Sequence, residues 1–226
     1  LRLADQDCEV AALLSERDVL HGPAAGQNVD VRVRLDMLQG EGDCSSQAVN
    51  RTALERVRRT AQLWRRQLKR LSGKPNSDGH DHPHVAGLLL ALAYPDRIAQ
   101  RQPGEIASYR LVNGRGARFR RPDPIATEPF LVIADLDGGG QWADINLAAP
   151  ITCEAIESLY QDQLSNEELV YWDERSGAVR ALCRRRLGAV TLLEEAVSSP
   201  DVNKLTSVLL QAIYKAGLDV LSFSHL

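Results

Sequence analysis

The 226-residue sequence predicts an α+β fold, with helices first, short strands after them and a helix at the end. Three observations carry that prediction. Leu54, Val57, Ala61, Trp64, Leu68 and Leu71 recur at alternating steps of three and four, the stripe of a helix with one packed edge. Asn113-Gly114 lies between two short strand-like runs, a strong hairpin signal. Beyond Ser108, short apolar runs alternate with turn residues, as strands do.

Residues 10–20 read as a short amphipathic helix ended by Gly22-Pro23 and Gly26. Residues 29–38 are ambiguous, because Val29, Val31, Val33 and Leu35 alternate like a strand. Residues 47–72 form the clearest helix, stopped by Gly73-Lys74-Pro75. A polar loop spans 75–83. Residues 87–99 read as a buried helix with a bend or restart at Pro95, and Gln102-Pro103-Gly104 breaks the chain. Strands are expected at 109–112, 117–119, 130–136, 143–147, 169–172, 178–183 and 189–193, with one helix over 152–160. This pattern fits a small Greek-key barrel of the OB type. Ser199-Pro200 then opens a helix running to about Ala216, with Gly217 as its stop. The expected division is a partial helical bundle over 1–103, an OB-like β-barrel over 104–198 and the start of a C-terminal segment over 199–226.

The composition is that of an ordinary globular chain, 44% hydrophobic and 25% charged. The longest apolar run, 85–93, is too short to span a bilayer. Cys8, Cys44, Cys153 and Cys183 lie far apart with no C-x-x-C pair, which predicts reduced thiols and a cytoplasmic location. The opening "LRLADQDCEV" does not read as a signal peptide. The only methionine is Met37, and the sequence reads as an excised fragment of a longer protein.

The net charge of −3 conceals segregation along the chain. Residues 47–72 carry 8 basic and 1 acidic side chains, net +7; residues 104–122 carry 5 and 1, net +4; residues 180–187 carry 4 and 0, net +4. Residues 123–179 carry 1 basic and 12 acidic side chains, net −11. Basic segments in an acidic background focus positive potential where a polyanion can lie.

The stretch "GLLLALAYPDRIA" (87–99), followed at Tyr109, Leu111 and 113–117 by "Y-L-NGRGA", resembles the C-terminal region of the bacterial HrpB-type helicases, a branch of the DEAH-box RNA helicases. "AALLSERDVL" (11–20), "FLVIADLDG" (130–138), "INLAAPI" (145–151) and "LGAVTLLEE" (187–195) are similar to the family as well. The resemblance implies a helicase-associated helical bundle, an OB-fold, a helix for 29–38 and a helix of the bundle lining an RNA channel, which "RRQLKRL" resembles. It also implies single-stranded RNA (or DNA) and motor domains of the same parent chain as partners, no membrane, and ATP with Mg as cofactors of the parent. No G-x-x-x-x-G-K-[ST] loop and no D-E-A-H-like motif occurs here, so the fragment alone is expected to hold no cofactor and to hydrolyse no ATP.

The candidate nucleic-acid-binding residues are Arg58, Arg59, Arg65, Arg66, Lys69 and Arg70 on the basic helix and Arg110, Arg115, Arg118 and Arg120 on or beside the hairpin. The plainer readings are a solvated face paired with acidic neighbours and a charged edge that prevents strand aggregation. Around the hairpin the aromatics are Tyr109, Phe119 and Phe130, a thin supply for base stacking. Arg184, Arg185 and Arg186 should alternate between faces. His80, His82 and His84 form a weak metal candidate in a polar loop; Asp135, Asp137 and Asp144 are a weaker carboxylate candidate, of which Asp137-Gly138 is better explained as turn chemistry. No catalytic residue is expected. The competing reading is a protein-interaction platform built on the acidic stretch 123–174.

Overall fold

The computed structural model describes residues 2–22, 28–41, 48–72, 85–104, 107–138 and 142–217. The chain divides into two compact units, Leu1–Gln161 and Asp162–Leu226.

The first unit opens with four helices: α1 (Arg2–Ser15), α2 (Val31–Gln39), α3 (Arg51–Ser72) and α4 (Val85–Ala93). The ambiguity over 29–38 resolves to helix. Asp30 caps α2 by accepting from the Arg32 N–H, and Gly40 ends it in the left-handed conformation at φ 83°. Val31, Arg34, Leu35 and Leu38 are then buried at helical spacing, which outweighs the alternation. α1 packs on α3 and α4. The apolar stripe of α3 is buried through Ala61 and then emerges, since Leu68 and Leu71 are exposed.

α4 ends at Ala93, short of the expected 99. The residue before a proline is steered out of the helical region, and Tyr94 duly sits at φ −134°, ψ 67°. A 3₁₀ turn, Pro95–Arg97, follows, and the chain enters strand β1 (Ile98–Arg101), where the sequence pattern suggested helix and loop. The other strands of this unit are β2 (Ser108–Leu111), β3 (Gly116–Arg118), β4 (Phe130–Asp137) and β5 (Trp142–Pro150). They close a barrel in the order β1-β2-β3-β5-β4, antiparallel apart from the β3–β5 pair. The β2–β3 loop is three residues rather than two. Leu111 and Arg115 flank it, Gly114 lies at φ 86°, and no non-glycine residue among those described has positive φ, so Asn113-Gly114 is a turn closed by a left-handed glycine.

Tyr109, Leu111, Ala117, Leu131, Ile133 and Ile145 fill the barrel. α4 covers β4 and β5 from outside, which is why five successive residues from Phe130 to Ala134 are buried. Helix α5 (Cys153–Tyr160) packs back onto α4, its Tyr160 hydroxyl donating to the Ala91 carbonyl at 2.6 Å. Segment 28–30 ties bundle to barrel. Val29 sits in the barrel core, its N–H donates to buried Asp123 at 2.8 Å, and its carbonyl accepts from the Ala148 N–H at 2.9 Å.

The second unit is a three-stranded antiparallel sheet, β6 (Ser165–Asp173), β7 (Ala178–Leu187) and β8 (Val190–Ala196), with helix α6 (Val202–Ala216) packed on β6 and β7. These strands were expected to continue the barrel; they pair with one another instead, because the barrel already closes between β1 and β4. The cap of α6 is Asp201, accepting from the Asn203 N–H, rather than Ser199. Gly217 does end the helix, at φ 81°.

Candidate nucleic-acid interface

The basic side chains fall into two sets, those consumed by the fold and those left to solvent. On α3, Arg58 reaches back to the carbonyls of Leu38 and Met37 at 3.1 and 3.0 Å, closing the C-terminus of α2. Arg65 bonds to Glu9 of α1, joining the two helices. Arg59 faces Glu55 at 3.7 Å across one turn, an exposed pair of little energetic weight. Arg66, Lys69 and Arg70 are exposed on the emergent half of α3 and make no ion pair among the described residues.

On the barrel, Arg118 and Arg120 converge on acids of β4 and β5. Arg120 bonds to Asp144 at 2.6 Å and also to Asp137, and Arg118 reaches Asp144 at 3.5 Å. The hydrogen bond from Arg120 is the largest cause of an Asp144 carboxyl held below the usual range. Asp137 and Asp144 are therefore partners of arginines, where the sequence suggested turn chemistry at Asp137 and a weak metal candidate including Asp144. Arg110 and Arg115 are exposed and make no ion pair among the described residues. α3 packs on α1 and α2 rather than on the hairpin, so the two basic segments belong to different faces of contact within the unit.

The expected hairpin aromatics are structural. Tyr109 is fully buried, its hydroxyl within 2.8 Å of the Glu128 carbonyl and 3.1 Å of that of Ala126, and burial pushes its pKa up. Phe119 packs edge-on against it at 5.7 Å, and Phe130 is buried. The aromatic that sequence reasoning missed is Trp142, the first residue of β5, which keeps 43% of its surface exposed. It follows a glycine run that read as turn, and strand pairing alone brings it beside β3.

In the second unit Arg184 pairs with Glu194 at 2.6 Å and Arg186 with Glu167 at 2.9 Å, across the strands on either side. Two of the three consecutive arginines thus stitch their own sheet. His80, His82 and His84 lie outside the described residues. No group of three or more metal-ligating side chains occurs among the described residues.

Among the described residues, cavities flank the barrel, two of them beside the basic side chains. The larger, about 460 Å³, includes Arg34, Asp18, Tyr94, Arg121, Asp123 and Asp135 in its lining, a mixed-sign wall. Its Arg34, fully buried, holds Asp18 with two bonds at 2.9 and 2.7 Å and the Asn28 carbonyl at 2.8 Å, a clamp no sequence motif announced. The smaller, about 410 Å³, is formed by Gln102, Tyr109, Arg110, Gly114, Gly116 and Trp142.

Comparison with known proteins bears on this arrangement. The family model for the connector region of the ATP-dependent RNA helicase HrpB matches residues 163–197, which are β6–β8 and their flanks. The ATP-dependent RNA helicase HrpB of Escherichia coli (strain K12) is 27% identical over 169 residues, covering 74% of this chain. Two crystal structures of Escherichia coli HrpB, one described as a DExH-box NTPase and the other as a DEAH/RHA helicase, superpose with TM-scores of 0.57 and 0.56. They are 24% and 25% identical, over 96% and 95% of this chain. The chain spans about a fifth of the curated relative (21%) and about a quarter of the solved chains (24% and 23%). The connector is matched in the second unit and the solved structures extend over both, so the chain is similar in sequence and fold to part of the HrpB type of helicase.

Proposed function

We propose that this chain is the accessory portion of an ATP-dependent RNA helicase that holds single-stranded RNA (or DNA) for motor domains elsewhere in the parent. ATP and Mg belong to those motor domains, and hydrolysis there moves the strand. The observation that carries the reading is the split among the cations. Arg66, Lys69, Arg70, Arg110 and Arg115 remain exposed and without ion pairs among the described residues, while Arg58, Arg65, Arg118 and Arg120 are engaged by carbonyls or carboxylates. Unneutralised cations displace counterions from a phosphate backbone; those already paired contribute less.

The interaction-platform reading is not favoured, because half of its twelve acids are engaged within the fold. Asp123 is buried as a hydrogen-bond acceptor, Asp137 and Asp144 meet Arg120, Asp173 meets Arg180, and Glu167 and Glu168 meet Arg186 and Lys204.

The test is binding of labelled single-stranded RNA to the 226-residue chain at about 50 mM salt. Replacing Arg66, Lys69 and Arg70 together by glutamate should weaken binding ten-fold or more, while Arg65→Gln should chiefly lower stability. Unchanged affinity in the triple variant would remove α3 from the interface.

A further inference from the structure

We propose that Trp142 and Arg110 form a base-stacking subsite on the outer wall of the barrel, taking a nucleobase of a single strand on the open indole face and a neighbouring phosphate on the guanidinium. The proposal rests on the strand-holding reading above and names the ligand chemistry of one part of that surface.

The strand register supplies the geometry. Gln100 pairs with Arg110, Arg110 with Gly116, and Gly116 with Trp142. Four adjacent strands thus place these residues in one row, and alternation along each strand puts that row on the outside. Its inner neighbours confirm the direction, since Tyr109, Leu111 and Ala117 are buried. Arg110 and Trp142 stand two strand spacings apart, about 9.6 Å, with only a glycine between them.

Gly116 is the reason the indole can lie there. A Cβ on this residue would come within 2.6 Å of Trp142 Cε3 and 2.7 Å of Cζ3. The six-membered ring therefore lies directly over the bare backbone of β3 and points along the row toward Arg110. Covering an unprotected glycine is one use of such an aromatic, and it occupies one face of the ring. It does not account for the other face, for the cavity of about 410 Å³ beside it, or for an exposed arginine without an ion pair among the described residues on the same wall. Tryptophan is usually well buried; here 43% of it is in solvent, on the row that also carries Arg110. A flat π-face and a guanidinium lining one cavity on a barrel wall match what a single strand needs, with bases that stack and phosphates that carry charge. Among the described residues the subsite has no buried, unpartnered donor or acceptor aimed at base edges, so it should tolerate any base.

The deciding experiment compares two ligands on the 226-residue chain: a short oligouridine and a strand of the same length and charge whose residues are abasic. The chain should bind the oligouridine more tightly, by about 5- to 150-fold for one stacked base. Trp142→Ala should remove that preference and leave abasic binding and its salt slope unchanged, while Trp142→Phe keeps part of it. Gly116→Ala, which displaces the indole, should lower the preference in the same direction. Equal binding of both strands by the unaltered chain would overturn the subsite and leave the phosphate-holding reading intact, as would a Trp142→Ala variant that weakens both strands alike. Failure of both strands to bind, even at low salt, would overturn the two readings together.

Discussion

Arg34 shows how much structural weight one side chain carries. It is buried within the first unit, yet its charge is matched by Asp18 and by the carbonyls of Asn28 and Asp30 at 2.8 and 3.2 Å. Asp18 keeps 38% of its side chain in water. Arg34→Ala should therefore cost about 2 kcal/mol, less than loss of a fully buried pair, measured by urea unfolding. Tyr109 offers a separate handle. Tyr109→Phe removes its hydroxyl's bond to the 126–128 carbonyls and should cost about 1 kcal/mol. The sign with pH follows from burial. The folded phenol is raised above its free value of about 10, so the unfolded chain loses its proton first and stability falls as pH rises past about 10. The phenylalanine variant should lack that alkaline decline. Asp144 runs the other way. Arg120 lowers its pKa, so the contact should persist below pH 4 and vanish only as pH falls through the lowered value, which an NMR titration of its carboxyl would trace. None of these three was legible in the sequence. An arginine in "VRVRL" looks like any surface cation until strand and helix pairing bring Asp18 and two carbonyls to it.

At the scale of elements the sequence was most readable where a local rule acted alone. The helix over 51–72, the hairpin glycine at 114 and the stop at Gly217 follow from spacing and backbone freedom. Strand β1 was hidden because Ile98 and Ala99 continue an apolar helix in pattern, and only the steric effect of Pro95 on Tyr94 separates the two. Once past that turn, Arg97 fixes the junction by stacking over Tyr94 at 4.8 Å and donating to the Ala134 carbonyl at 2.7 Å. Helix α4 depends on Gly87 in a similar way, since a Cβ there would collide with the Pro150 carbonyl. Alanine normally favours a helix over glycine by about 1 kcal/mol, but here the collision is with backbone that cannot swing aside. Gly87→Ala should thus destabilise by about 2 kcal/mol, seen as a lower thermal midpoint. Trp142 escaped notice for a non-local reason: its neighbours Gly116 and Arg110 come from other strands, and sequence spacing says nothing of that row.

For the whole molecule, the distribution of charge along the sequence predicted basic segments in an acidic background, and the fold sorts those charges into two kinds. Within the acidic run from 123 to 179, Asp137, Asp144, Glu167 and Asp173 meet the arginines at 118, 120, 180 and 186, and Arg184 meets Glu194. Among the described cations without an ion pair are those of the emergent half of α3 and of the β2–β3 hairpin, both in the first unit. The second unit, a sheet matched by the HrpB connector, spends its basic residues on its own strands. No helix among the described residues is long and apolar enough to cross a membrane. In the proposed function unpaired cations meet phosphates, and the salt dependence of single-stranded RNA binding tests that most directly. The log–log slope should flatten by about 2 when Arg66, Lys69 and Arg70 are reversed, at about 0.7 for each phosphate no longer neutralised. A slope identical in the two proteins, or no binding by the unaltered chain at low salt, would contradict it.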